Sequence, residues 1–281
     1  MKNKFFEGLK SGLEEAIAHS KGKLNLRVHE IVRSKMGKIV AIGGGGFGGS
    51  KNNVAIDNEI VLLSGKTRPN LLFIPTASMD DEKYIQDIKN KFGNLNCKVD
   101  VLYLISKQTE RKEIKNKIEN ADIIYVGGGN TLRMMNLWRR LGVDKLLINA
   151  YKKNKVMSGV SAGAICWFSQ GNSDARKFKN LNAKLIKVTG LGIIKALCCP
   201  HYDSEKDRRP ALKNMMLKSN GIAIAIEDNC AIQIVNNKFR IISSKSNANA
   251  YRVYWKQNKF YEELIEQKNE FLDLNQLISC E

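Results

Sequence analysis

The sequence predicts an α/β protein with a mostly parallel β-sheet that is covered by helices on both faces. From Gly37 onward, short apolar runs of strand length alternate with longer segments of helical character, and glycine-rich turns follow the ends of several strands. Repeated strand–loop–helix units of this length build parallel sheets. In such sheets, functional residues gather at the carboxyl ends of the strands.

Four strand–helix units follow one another in the first half of the chain. Their strands are predicted at Lys38–Ile42, Leu71–Ile74, Lys98–Leu104 and Ala121–Val126. Their helices are predicted at Val54–Leu63, Asp81–Phe92, Glu110–Ile118 and Leu132–Leu146. The glycine run Gly43–Gly49 has no clean G-x-G-x-x-G spacing, so we expect a loop that approaches the functional site rather than a dinucleotide cradle.

The second half begins with a short strand that ends near Val156 and a helix over Ala162–Phe168. Further strands are predicted at Leu191–Ile194, Ala196–Cys199 and Gly221–Ile226, and a helix at Asp207–Lys218. Two hairpins are expected to follow, at Ala231–Ser243 and Tyr251–Leu264.

A leader and a tail flank this body. Phe5, Leu9 and Leu13 fall at helical spacing, so residues 1–35 are predicted as a helical extension, 36–265 as the α/β domain and 266–281 as a polar tail. No apolar run approaches the roughly 20 residues that a membrane span needs, and the first residues lack the apolar segment of a signal peptide. We therefore expect a cytoplasmic protein without a membrane partner.

The composition argues against a metal site and against a dedicated nucleic-acid surface. The six cysteines form no C-x-x-C pair and show no zinc-type spacing with histidine, so reduced thiols are expected. The formal charge is +18, but the lysines are spread along the chain among many asparagines and isoleucines. A solvated basic surface is therefore expected rather than a nucleic-acid patch.

The stretch Gly159-Val-Ser-Ala-Gly163 spells G-x-S-x-G, the nucleophile-elbow pattern. A serine on a tight strand-to-helix turn needs small neighbours on both sides, so that the strained backbone fits and Oγ projects from the end of the sheet. Ser161 is therefore the predicted nucleophile.

A serine nucleophile requires a base, and the chain has three histidines. His19 and His29 lie in the leader, which leaves His201 as the only histidine of the body. It follows a predicted strand and a proline, at a loop from which a general base could reach Ser161.

A carboxylate must orient the imidazole and stabilise its positive form. Glu227 is best placed, because it stands at the carboxyl end of the strand that ends at Ile226, and Asp228 is its neighbour. Asp174, in the loop after the elbow helix, is a second candidate. Glu227 is preferred, and the three carboxylates remain open.

Two N–H donors are needed for the oxyanion of a tetrahedral intermediate. One is expected from Ala162, the residue after the nucleophile. The other is expected from the turn Gly127-Gly-Gly129, where backbone without side chains can direct an amide towards the site, and Gly128 is the predicted donor.

Together, Tyr125–Thr131, the elbow Gly159–Gly163, Pro200-His201 and Glu227–Asn229 resemble the peptidase E family of serine peptidases, over about residues 36–255. The family includes aspartyl dipeptidases and the related cyanophycinases. The resemblance implies a flavodoxin-like fold of the class I glutamine amidotransferase type. It also implies a Ser-His-acid mechanism, without metal or cofactor, in which Ser161 and His201 act with Gly128 and Ala162 as oxyanion donors.

The resemblance also implies a small peptide substrate, such as a dipeptide with an N-terminal Asp or an isoaspartyl-type bond. Asn130, Arg208 and Arg209 are the predicted substrate-binding residues, the two arginines because a substrate carboxylate calls for a cation. A homodimer is left open. The alternative from another class is a catalytically silent α/β binding module with a basic surface, associated with nucleic acid.

Overall fold

The computed structural model describes residues 37–45, 53–219 and 221–279, and within these ranges the chain forms two mixed β-sheets with helices packed on them. All of these residues belong to the unit Lys35–Glu281. The described ranges do not include the leader predicted over residues 1–35. They also leave out residues 46–49 of the glycine run and the last two residues of the chain.

The strands are numbered in chain order. They are β1 (Lys38–Ile42), β2 (Asn70–Ile74), β3 (Lys98–Val101), β4 (Ile123–Val126), β5 (Val156–Val160), β6 (Phe168–Ser173) and β7 (Ile186–Thr189). After these come β8 (Ile194–Cys199), β9 (Ala223–Ile226), β10 (Cys230–Val235), β11 (Lys238–Ser243), β12 (Ala250–Lys256), β13 (Lys259–Leu264) and β14 (Leu272–Asp273).

The helices are numbered in the same way. They are α1 (Val54–Leu63), α2 (Glu82–Asn94), α3 (Arg111–Asn120), α4 (Thr131–Leu141), α5 (Val143–Lys152), α6 (Ala162–Ile165), α7 (Arg208–Leu217) and α8 (Leu274–Ile278). A short 3₁₀ turn spans Thr76–Ser78.

The first sheet has eight strands in the order β14-β11-β10-β1-β5-β4-β2-β3. Five neighbouring strands of this sheet, β1, β5, β4, β2 and β3, run parallel to one another. The hairpin β10–β11 joins the sheet next to β1, with β10 antiparallel to β1. Side chains alternate between the faces of a strand. Accordingly, Val40 and Ile42 pack with α1 and α2 on one face, while Ile39 and Ala41 belong to the core that contains α3, α4 and α5.

The second sheet has six strands in the order β13-β12-β9-β8-β6-β7. Its central strands β6, β8 and β9 are parallel. On either side of them, β7 is antiparallel to β6 and β12 is antiparallel to β9, and the edge strand β13 is antiparallel to β12. Phe168, Cys198 and Ile224 share the main core with the first sheet, whereas Leu197 and Ala223 pack with Leu212 of α7 on the other face. The segment between β9 and β10 crosses from the second sheet to the first.

The predicted α/β class, with a largely parallel main sheet and helices on both faces, is confirmed, but several local predictions differ from the structure. The two strands expected at Leu191–Ile194 and Ala196–Cys199 are one strand, β8, and the strand expected over Lys98–Leu104 ends at Val101. The single helix expected over Leu132–Leu146 is two helices, because Gly142 adopts φ 74° and ends α4. The helix expected to reach Phe168 ends at Ile165, because Phe168 begins β6.

The polar tail predicted over residues 266–281 is partly folded. Leu272 pairs with Phe239 of β11, and Leu274 and Leu277 of α8 are buried, Leu277 with only 2% of its surface exposed. The apolar residues of this segment therefore belong to the main core. No helix among the described residues is long and apolar enough to cross a membrane.

Candidate active site

Ser161 lies on the turn between β5 and α6, in a backbone conformation that side-chain-bearing residues seldom adopt. Its φ is 57° and its ψ is −110°, and its backbone N–H donates to the Ile42 carbonyl oxygen of β1 at 3.0 Å. A Cβ added at Gly159 would lie 2.5 Å from the Gly163 carbonyl oxygen. The glycines of the motif are therefore required by the close packing of the turn, as the sequence pattern predicts.

His201 follows β8 and comes within hydrogen-bond distance of the serine. Its Nε2 is 2.9 Å from Ser161 Oγ, and its own φ is 53°. The next residue, Tyr202, is 1% exposed, and its backbone N–H donates to the Ile226 carbonyl oxygen at 3.2 Å. These contacts fix the start of the loop, so that the imidazole is directed at Ser161 Oγ.

Asp228 is the carboxylate that contacts the histidine. Its Oδ1 is 2.8 Å from His201 Nδ1, and its backbone N–H donates to Asp203 Oδ1 at 2.9 Å. Burial of the Asp228 carboxyl acts to raise its pKa, but the hydrogen bond and the charge of His201, with a hydrogen bond from Ser204, outweigh it and lower the pKa below its ordinary value. Asp228 is thus held as a carboxylate.

The predicted placement of Glu227 against His201 is wrong. The Glu227 carboxylate accepts hydrogen bonds from the backbone N–H of Asn249 at 2.8 Å and from the Tyr251 hydroxyl at 3.0 Å. Glu227 and Asp228 open a turn after β9, in which the Cys230 N–H donates to the Glu227 carbonyl oxygen at 3.3 Å, and their side chains have different partners. Of the two, it is Asp228 that faces His201.

Asp174, the other predicted acid, lies elsewhere. Its Oδ1 is 3.8 Å from Nη2 of Arg208, and its backbone carbonyl accepts from the Lys177 N–H at 2.7 Å. The structure therefore associates Asp174 with the start of α7 and not with the His201 imidazole.

Both predicted oxyanion donors lie beside the serine. Ala162 is the first residue of α6, so its N–H belongs to the groups that a helix leaves without an intrahelical acceptor. A Cβ added at Gly128 would lie 3.4 Å from Ser161 Cβ, which places the Gly128 backbone alongside the nucleophile. The Gly128 N–H makes a long hydrogen bond of 3.4 Å to the Tyr84 hydroxyl.

Two of the predicted substrate-binding side chains are held within the fold. Asn130 caps α4, because its Oδ1 accepts from the Arg133 N–H at 3.0 Å, and its Nδ2 donates to the Ala175 carbonyl oxygen at 3.0 Å. Arg208 is 1% exposed, and its Nε donates to Glu205 Oε2 at 2.8 Å. These contacts lend no support to a role for either side chain in binding substrate.

Arg209 is exposed on one side, but its charge is neutralised locally. Its Nη1 donates to Glu262 at 2.6 Å, its Nη2 lies 3.8 Å from Glu227, and its guanidinium lies 4.4 Å from the centre of the Tyr202 ring. A cation with two carboxylate neighbours has little attraction left for a substrate carboxylate. Arg208 and Arg209 thus make their side-chain contacts within the fold, with strands of the second sheet and with the loop before α7.

The glycine run after β1 reaches the site, which confirms its predicted approach. Gly44 forms a bridge with Asp228, and a Cβ added at Gly44 would lie 2.5 Å from His201 Nδ1. The Gly44 carbonyl oxygen accepts from Asn53 Nδ2 and from the Asn229 N–H, each at 3.1 Å. Only glycine leaves room here for the histidine and the aspartate.

Among the described residues, no group of three or more histidine, cysteine, aspartate or glutamate side chains is arranged to hold a metal ion. The arrangement that the structure does show is a hydroxyl, an imidazole and a carboxylate joined in series, with two backbone amides beside the hydroxyl. That arrangement suits acyl transfer.

Comparison with known proteins agrees with this geometry. The model of peptidase family S51 matches residues 39–242, which include Ser161, His201 and Asp228. The chain belongs to peptidase family S51. Its membership confirms the predicted resemblance to peptidase E and the predicted class of enzyme, a peptidase.

Individual relatives of this S51 peptidase support the assignment. It is 38% identical over 232 residues to the uncharacterized peptidase YgaJ of Bacillus subtilis (strain 168), across 81% of this chain and 96% of that protein. It is 23% identical over 202 residues to a peptidase E of Nostoc, across 67% and 78% of the two chains. The crystal structure of a peptidase from an acI-B1 Actinobacterium shares the fold, with a TM-score of 0.64, 16% identity, and coverage of 85% and 98%.

Proposed function

We propose that the chain is a serine peptidase that hydrolyses small peptides through an acyl-enzyme on Ser161. The observation that carries the proposal is the unbroken series from Ser161 Oγ through His201 to Asp228, with contacts of 2.9 Å and 2.8 Å. A serine hydroxyl at this distance from an imidazole can pass its proton to that base as it attacks a carbonyl carbon.

The steps follow from the positions of the groups. His201 Nε2 removes the proton from Ser161 Oγ, which attacks the scissile carbonyl. The oxyanion accepts from the Ala162 N–H and from the Gly128 N–H, whose long hydrogen bond of 3.4 Å to the Tyr84 hydroxyl it replaces. His201 then donates the proton to the leaving amine, and water releases the acyl group by the same route. Asp228 holds the imidazole in one tautomer and stabilises its charged form.

The substrate class is proposed as small peptides, with Asp-first and isoaspartyl dipeptides as the first candidates. The peptidase E name of several relatives supports a search that begins with short substrates. Arg208 and Arg209 do not supply a free cation for an aspartate side chain, since both are engaged with carboxylates. Cationic recognition would have to come from another residue.

A dipeptide library that contains Asp-Xaa and β-Asp-Xaa members tests the substrate, and fluorophosphonate labelling tests the nucleophile. Ser161→Ala is expected to abolish labelling and to lower kcat by roughly 10⁴-fold or more, whereas the control Ser64→Ala should behave as wild type. Ser64 lies at the end of α1, where its hydroxyl donates to Val61. Full activity of Ser161→Ala on every dipeptide that the wild type cleaves would refute the proposal.

A further inference from the structure

A groove runs between the segment 181–187 and helix α7, on the side of the second sheet that α7 covers. Its walls include Leu181 and Leu217, which are 85% and 58% exposed. Both leucines line the same concavity, so the groove presents apolar surface to solvent. Asp207, at the start of α7, lies at one end of the groove.

The charge of the groove is positive and is not neutralised within the protein. Lys184, Lys187 and Lys218 line it, and among the described residues none of them has a carboxylate within 4.0 Å. The one carboxylate in the lining, Asp207, is already paired with Lys177 at 2.5 Å. Because these three lysines have no carboxylate partner, the groove has a net positive potential above an apolar surface.

Lys187 illustrates how this charge is held. Its ammonium donates a hydrogen bond to the Ser219 hydroxyl, and burial lowers its pKa. A partly buried ammonium without a counter-ion gains more from a bound carboxylate than a fully solvated lysine does. Folding has already removed part of its water shell, so less water has to be displaced when the carboxylate binds. Lys187 thus offers one anionic group a charge partner in the groove that the leucines also line.

We propose that this groove binds an acidic peptide segment in which carboxylates alternate with apolar side chains. Carboxylates would pair with the three lysines, and apolar side chains would cover Leu181 and Leu217. A nucleic-acid strand suits the groove less well, because no aromatic side chain lines it to stack on bases and the leucines would face phosphates. The site requires neither the chemistry of Ser161 nor the proposed function.

Binding is best measured on the full-length chain with Ser161→Ala, so that no peptide is cleaved. The probe is a fluorescein-labelled peptide of alternating glutamate and leucine, followed by anisotropy at several salt concentrations. We expect binding that weakens as salt rises. The triple variant Lys184→Glu/Lys187→Glu/Lys218→Glu should weaken it by roughly 10- to 100-fold, since each lost pair and its replacement by repulsion contributes modestly.

A matched control exists on another face of the molecule. Lys112, Lys115 and Lys145 line the cleft between α3 and α5, so Lys112→Glu/Lys115→Glu/Lys145→Glu changes the net charge by the same amount. This variant should bind the peptide within about threefold of the parent chain. Equal weakening by the two triple variants would show non-specific attraction and overturn the proposal, as would the absence of peptide binding to the parent chain.

The apolar component separates a peptide from a nucleic acid. Leu181→Ser should fold normally, because Leu181 makes little contact with the core, yet should weaken peptide binding by roughly 10-fold. Displacement of the peptide by single-stranded DNA, together with no effect of Leu181→Ser, would make this a phosphate site and overturn the peptide assignment. If the triple variant unfolds by circular dichroism, Lys184→Glu/Lys218→Glu, which spares Lys187, replaces it.

Discussion

Replacing Asp228 by asparagine removes one charge from the active site with little change in shape. The asparagine can still contact His201 Nδ1, whose present partner is Asp228 Oδ1 at 2.8 Å. In the proposed mechanism, it can no longer stabilise the imidazolium that forms as Ser161 attacks. We expect a fall in kcat with little change in KM, because the proposed mechanism has Asp228 act through His201 without contact to the substrate.

The magnitude follows from the geometry. Two unit charges about 4 Å apart attract one another by about 4 kcal/mol at an effective dielectric constant of about 20. The side chains of His201 and Asp228 are 20% and 24% exposed, so solvent screens part of this attraction. About 2 to 4 kcal/mol should therefore be lost from the transition state, which corresponds to roughly a 30- to 1000-fold decrease in kcat.

Glu227→Gln is the matched control for this measurement. Like Asp228→Asn, it neutralises one carboxylate, at the residue that precedes Asp228. The Glu227 side chain, however, contacts Asn249 and Tyr251 rather than His201. We expect its kcat to stay within about tenfold of wild type. Steady-state kinetics on the best dipeptide decides the question. The reasoning is refuted if Asp228→Asn stays within about threefold of wild type, or if Glu227→Gln loses more activity than Asp228→Asn.

Three further predictions test the turns and the charge of the site. Gly128→Ala should fold, since its new methyl group would lie at an ordinary contact distance of 3.4 Å from Ser161 Cβ. It should lower kcat by roughly 10-fold, because the methyl group crowds the oxyanion position. An unchanged kcat would exclude the placement of the oxyanion beside Gly128. Gly159→Ala should destabilise the protein by about 1 to 3 kcal/mol, because the methyl group would be 2.5 Å from the Gly163 carbonyl oxygen, and thermal melting would show no shift if that packing were absent. The pKa of Asp228 is lowered by folding, so its ionised form contributes stability that is present above the unfolded-state pKa of about 3.9 and is lost as pH falls through the folded-state value. The difference in Tm between wild type and Asp228→Asn should therefore shrink on acidification from pH of about 5 to about 3, and a constant difference would contradict this sign.

The sequence predicts the residues of the proposed nucleophile and base, Ser161 and His201, from local information. The elbow is specified by the small residues around Ser161, whose strained φ the structure shows. His201 is predicted by elimination, since the body of the chain contains no other histidine. The order of strands and helices in the first half follows from apolar periodicity, and the bounds of β1 and α1 agree with those predicted, whereas the break at Gly142 does not follow from periodicity.

The acid could not be chosen from the sequence, because the choice depends on how two sheets are connected. Glu227 and Asp228 are consecutive residues at the turn after β9, and the sequence does not specify which of the two side chains this turn directs at His201. After β9 the chain pairs Asp228 with Gly44, and this pairing directs the Asp228 side chain at His201. The pattern of apolar residues in the sequence does not predict this long-range contact. The burial of Arg208 is a similar case, since its partners lie on β6 and in the preceding loop.

The proposed triad is assembled across the boundary of the two sheets. Ser161 follows β5 of the first sheet, whereas His201 follows β8 of the second and Asp228 lies on the crossover from β9 to β10. The 2.9 Å contact between Ser161 and His201 therefore depends on how the sheets pack against each other through their shared core. Because cores are close-packed and transmit small displacements, a change in that core should alter the serine–histidine distance, and with it kcat, before it unfolds either sheet.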